Sequence, residues 1–149
     1  MVRHRITVLG FIIVLLTGIS ISGMPATDSA NDILVIVNKS VEVETLSIAE
    51  LKQIFLKKKS SWPGGNPIVP INARVSEDIR EEFREKVLDM SNTEESTYWE
   101  TQKIRLQLSS PVEMGRTPKA VFKLKNAISY AYRRDVPTDV VKVVQILPN

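Results

Sequence analysis

Short runs of β-branched and apolar residues alternate with capped, helix-period segments from residue 32 to residue 147, and this alternation leaves few architectures open to the chain. Ile33-Leu34-Val35-Ile36-Val37 runs unbroken between Asp32 and Asn38, the pattern of a strand buried on both faces. Ser47 with Glu50 three positions later predicts a reciprocal capping box, and Ile48, Leu51, Ile54 and Phe55 then recur on one helical stripe. Lys57-Lys58-Lys59 closes that helix, because positive side chains are favoured at a helix C-terminus. Trp62 to Pro67 reads as a turn. Ile68-Val69-Pro70-Ile71 resumes an extended run, and Pro70, which has no ladder donor, predicts an edge or a strand end.

Ser76 is the expected cap of the next helix, with Glu77 and Asp78 in its first turn. Ile79, Phe83, Val87 and Met90 share its buried face, and Arg80, Glu81, Arg84 and Glu85 are expected opposite as solvated pairs. Ser91 and Glu94 repeat the capping box ahead of a helix holding Tyr98 and Trp99. Ile104, Leu106 and Leu108 recur every second residue, which fits a strand as well as a helix end. Thr117-Pro118 opens a short helix with proline at its first position, carrying Val121, Phe122 and Leu124. Ala127 to Tyr132 and Val140 to Leu147 are expected strands, and Val41 to Thr45 an extended link or edge. The order of strand, helix, strand, two or three helices and two strands predicts an α/β domain of three layers with a mostly parallel sheet.

Ahead of this domain, residues 1–26 read as an export signal: Arg3 and Arg5 precede an uncharged stretch from Ile6 to Gly23 with the apolar core Phe11 to Leu16. Cleavage is expected after Ala26, or as late as Ala30, leaving a domain over residues 31–149 in the periplasm or outside the cell. The alternative is an uncleaved anchor, since the 18 residues Ile6 to Gly23 just cross a hydrocarbon core of about 30 Å, with membrane contact through the leader alone. Without Arg3 and Arg5, the 20 Lys and Arg of the chain fall to 18 against 17 Asp and Glu. Such a balance gives no basic field for nucleic acid, and Lys57 to Lys59 is the sole basic run.

Residue types exclude several chemistries. Cysteine is absent, which removes disulfides, thiol catalysis, iron–sulfur ligation and thiolate zinc, as well as a lipid anchor on cysteine. His4, the one histidine, lies in the leader, so the domain holds no Ser-His-carboxylate triad and no histidine metal site. No segment spaces oxygen ligands as a calcium loop does. No cofactor, no metal and no enzymatic activity are expected, and Trp62 and Trp99 are assigned to the core.

The segments Asp32 to Asn38, Leu46 to Lys58 and Trp62-Pro63-Gly64-Gly65 together resemble the periplasmic phosphate-binding component of ABC transporters, in the type 2 periplasmic-binding-protein superfamily. The chain is most similar to the short, stand-alone members, and the resemblance continues through Ile68 to Ile71, Phe83, Leu88, Tyr98-Trp99 and Ala127 to Tyr130. It implies a periplasmic-binding-protein-like single lobe or truncated core, with phosphate or another small oxyanion as ligand. Full-length members wrap phosphate with an arginine and a Ser-Gly-Thr-type turn. Here the corresponding stretch, Asn72-Ala73-Arg74-Val75-Ser76-Glu77-Asp78, keeps Arg74 and Ser76, lacks the glycine, and places two acids where an anion would sit. Ser129 also stands where many relatives have glycine.

The candidate ligand residues are Asn38, Lys39 and Ser40 after the first strand, Arg74 and Ser76 after the second, and Arg116 with Thr117 at a helix start. In an open α/β sheet the first two groups are expected to emerge together, beyond the carboxyl ends of the strands. Two functions follow. One is an exported solute-binding-like module with weak or vestigial binding of phosphate or a similar small anion. The other is an accessory or protein-interaction domain that keeps the fold without a ligand site, its apolar face covered by a homo-oligomer or a protein partner.

Overall fold

All five side chains of β1, Ile33–Val37, are buried, as an apolar run without polar alternation requires. Ile33, Val35 and Val37 enter one apolar cluster and Leu34 and Ile36 a second, so the strand is covered on both faces. The computed structural model describes residues 28–149, and the expected export signal at 1–26 lies outside the described residues. On one side β1 pairs with β4, Ala127–Tyr132, and on the other with β5, Lys142–Leu147, both antiparallel. Beyond β4 lie β2, Val69–Asn72, and the two-residue β3, Val112–Glu113, each parallel to its neighbour, which gives the order β3-β2-β4-β1-β5. Four strands therefore point the same way, as the expected mostly parallel sheet requires, and β1 alone is reversed. Because β3 pairs only with Ile71 and Asn72, Pro70 meets no ladder on that side, so its missing N–H costs nothing there.

One face of the sheet carries α1, Ile48–Phe55, α2, Asp78–Phe83, and α3, Asn92–Leu106; the other carries α4, Thr117–Lys123. On the first face the Phe83 ring stacks on Tyr130 with centroids 3.7 Å apart, and Phe55 meets both edge-on at 4.7 and 5.6 Å. On the second, Val121 of α4 packs with Leu34, Ile36 and Ile71. Both capping boxes form, Ser47 with Glu50 and Ser91 with Glu94. Trp62 is buried and its indole N–H donates to the Asn126 carbonyl at 3.1 Å, while Trp99 packs on the main cluster, edge-on to Tyr98.

Several expectations fail locally. Ser76 caps nothing: α2 begins at Asp78, after Glu77, whose side chain makes no capping bond. Arg80 and Arg84 are not solvated; they are 5% and 6% exposed, held by partners on the chain instead of by water. Arg80 meets Glu95, the one buried residue of α3, at 2.5 Å, and Arg84 donates to the Met90 carbonyl. Past Phe83 the chain continues through a π-helical turn, Arg84–Leu88, which still buries Val87 and Leu88. Of the two readings open for the stretch from Ile104, the helix end is the one that forms, since 104–106 finish α3 with Ile104 83% exposed, and 41–45, with no strand assigned, are a link and not an edge. Ile48 opens α1, Phe122 sits on the side of α4 away from Val121, and Leu124 caps the end of α4; they are 39%, 53% and 39% exposed. Proline falls at the second position of α4, one residue later than expected. No helix among the described residues is long and apolar enough to cross a membrane.

Candidate functional site

The reversal of β1 separates the candidate residues into two groups. Asn38 N–H bonds to the carbonyl of Ala127, which places Asn38, Lys39 and Ser40 at the amino end of β4. Arg74 and Ser76 follow the carboxyl end of β2, and the Thr117 hydroxyl donates to the Tyr130 carbonyl at 2.7 Å, well along β4. The expectation that the loops after the first two strands emerge together is therefore corrected: they lie at opposite ends of the sheet, because β1 is antiparallel to the strands beside it.

At the first end the polar groups are engaged by the chain itself. The Asn38 amide donates to the carbonyls of Val121 and Phe122 at 2.8 and 3.0 Å, satisfying acceptors that the end of α4 leaves without helical partners. Its oxygen accepts from Ser40 N–H, the Ser40 hydroxyl accepts from Asn126 N–H, and the Lys39 ammonium donates to the Asp139 carbonyl at 2.5 Å.

At the second end a cleft of about 910 Å³ opens between α2 and α4. Ser76, Glu77, Asp78 and Ile79 form one wall, and Arg116, Thr117, Lys119 and Phe122 the other. Tyr130, Ala131 and Tyr132 form the floor, and Arg134, Asp135, Pro137 and Val140 complete the rim. The floor is rigidly held. Tyr130 accepts from Ala73 N–H at 3.2 Å and donates to Asn72 at 3.4 Å, and burial pushes its phenol up to about 12. Tyr132 donates to Glu82 at 2.7 Å, and burial together with that carboxylate pushes it, too, up to about 12. The Arg134 guanidinium covers the Tyr132 ring at 4.3 Å and lies 3.9 Å from Asp135.

Of the candidates, the structure brings Ser76, Arg116 and Thr117 to one cleft. Thr117 is buried with its hydroxyl engaged, so its side chain shapes the wall. Arg116, at φ 55° just before α4, makes no ion pair among the described residues. Arg74 lies beside the cleft with its guanidinium against Gly115; a Cβ at 115 would come within 3.2 Å of the Arg74 Cζ. Two cations of the cleft escaped the sequence reading. Lys119 was legible, standing three residues after Arg116 at helical spacing. Arg134 was not, because only strand pairing brings the end of β4 beside α2 and α4. Among the described residues no three His, Cys, Asp or Glu gather as a metal site would need.

No family model matches the chain, and no curated protein matches it. Solved structures do. A Clostridium perfringens protein assigned as a phosphate ABC transporter substrate-binding protein, crystallised with phosphate, aligns with TM-score 0.61 and 23% identity over 78% of this chain and 46% of its own. An ABC-type phosphate transport receptor of Vibrio cholerae aligns at 0.60 and 15% identity over 78% and 47%. PstS of Borrelia burgdorferi aligns at 0.58 and 12% identity over 78% and 51%. The chain thus spans about half the length of these structures, and the likeness establishes a type 2 periplasmic-binding-protein-like fold with single-lobe architecture.

Proposed function

We propose that this protein is an exported solute-binding-like module without enzymatic activity, and that it holds phosphate or a similar small oxyanion weakly in the cleft between α2 and α4. The observation that carries the reading is the position of that cleft: it opens at the carboxyl ends of β2 and β4, where open α/β sheets bind ligands, and Arg116 and Lys119 enter it without ion-pair partners among the described residues. The likeness to phosphate-binding transport proteins supports the ligand class. Binding is weak because Glu77 and Asp78 form the facing wall and because no glycine opens the turn after Arg74. Export is supported by the basic, then apolar, pattern of residues 1–26. Calorimetric titration with phosphate tests the reading: millimolar affinity that weakens with salt is expected, and no heat together with no melting shift would sink it.

A specific feature supports a second reading, that of an interaction domain. Ile104 and Leu106, at the end of α3, and Val112 of edge strand β3 are large apolar side chains left 83%, 67% and 50% exposed, and an open sheet edge is a place where another chain can pair. A homo-oligomer or protein partner covering them predicts sedimentation above monomer mass; a monomer at all concentrations, with phosphate bound, leaves the first reading alone.

A further inference from the structure

Resting on the solute-binding reading, we propose that the cleft is built for a zwitterionic organic solute, one that carries an oxyanion and an ammonium group on a partly apolar body, in preference to free phosphate. The two walls have opposite charge. Glu77 and Asp78 stand at the start of α2, on one face of the sheet, and Arg116 and Lys119 at the start of α4, on the other, with the end of β4 between them. None of these four side chains has an ion-pair partner among the described residues, whereas Arg134 and Asp135 lie 3.9 Å from each other and largely cancel. The cleft therefore offers two negative and two positive groups.

A free phosphate between such walls is attracted by one and repelled by the other, since charges within a Debye length, about 8–10 Å at moderate salt, act together. A molecule with both signs gains at both walls. Size leads to the same class: a volume of about 910 Å³ lies at the upper end of the roughly 300–1,000 Å³ typical of sites for drug-sized ligands, and far exceeds what one bare oxyanion fills. Ile79, Phe122 and Val140 add apolar lining that phosphate has no surface to use and an organic body has.

The test is calorimetric titration of the full chain with four probes: leucyl-leucine and O-phosphoethanolamine as carriers of both signs, inorganic phosphate and butylamine as controls of one sign each. At least one zwitterion is expected to bind about tenfold or more tighter than either control, which corresponds to ~1.4 kcal/mol, and whichever it is identifies the oxyanion as carboxylate or phosphate. In Glu77→Gln with Asp78→Asn, zwitterion affinity falls while phosphate affinity rises; in Arg116→Gln with Lys119→Gln, both fall. None of the four side chains is buried or hydrogen-bonded among the described residues, so only small falls in melting temperature accompany these effects, the larger one where the acids at the start of α2 are neutralised; if a double variant melts early, the single changes Glu77→Gln and Lys119→Gln are read instead. Phosphate binding as tightly as both zwitterions overturns this inference and leaves the solute-binding reading intact. Silence from all four probes at millimolar concentration overturns both.

Discussion

The two ends of the central sheet carry similar residue types and treat them differently. At the amino end of β4, Asn38, Lys39 and Ser40 each bond to the chain, to the last carbonyls of α4, to Asp139 and to Asn126. At the carboxyl end, Glu77, Asp78, Arg116 and Lys119 surround an open cleft and make no ion pair among the described residues. One end closes a helix, and the other stays available to a ligand. Polarity alone therefore does not mark a site: a polar group is informative when the fold leaves it unpaired on a concave surface.

The largest effect is expected where the open end rests on the core. Phe83→Ala removes the ring stacked on Tyr130 and should destabilise the domain by about 3–5 kcal/mol, read as a lower urea midpoint. A loss under 1 kcal/mol, well below that range, would mean that the cleft floor is held from elsewhere. Next in size is the response to alkali. The folded phenol of Tyr130 is raised to about 12 from an ordinary 10.0, so its contribution is fully present below pH 10 and is lost as pH rises through about 12. Absorbance at 295 nm should show phenolate forming together with unfolding, and Tyr130→Phe should remove part of that alkaline loss; a Tyr130 that titrates near 10 in the folded protein contradicts the burial.

Asn38→Ala, at the closed end, should cost about 1 kcal/mol by stranding two α4 carbonyls, and should leave phosphate affinity unchanged. Loss of affinity in this variant would erase the distinction between the ends. The smallest stability effects belong to the open end. Arg116→Ala and Ser76→Ala should each stay within about 0.5 kcal/mol of the parent, the first because its side chain has no ion pair, the second because it caps nothing. Arg116→Ala alone should weaken phosphate, measured by the same titration.

Much of the fold could be read from local pattern. The run Ile33 to Val37 gave a fully buried strand, and each Ser-x-x-Glu box gave a helix start, because strand burial and capping depend on residues only a few positions apart. The candidate site was half legible: Ser76, Arg116 and Thr117 do line one cleft, and Asn38 to Ser40 do not. Ser76 was read as a cap because its residue type allows it, yet the backbone starts α2 two residues later.

The sequence by itself determined the main strands and helices, their order and the three-layer class, since periodicity and caps are short-range properties of the chain; the two-residue β3 and the π-helical turn after Phe83 were not among them. The tertiary structure alone decided the direction of β1, the burial of Arg80 against Glu95, and the meeting of Glu77, Asp78, Arg116 and Lys119 across a single cleft. Strand direction follows from which partner each strand finds, and the burial of a charge from which distant side chain meets it. These are contacts between residues far apart in the chain, and no local window of residues carries them.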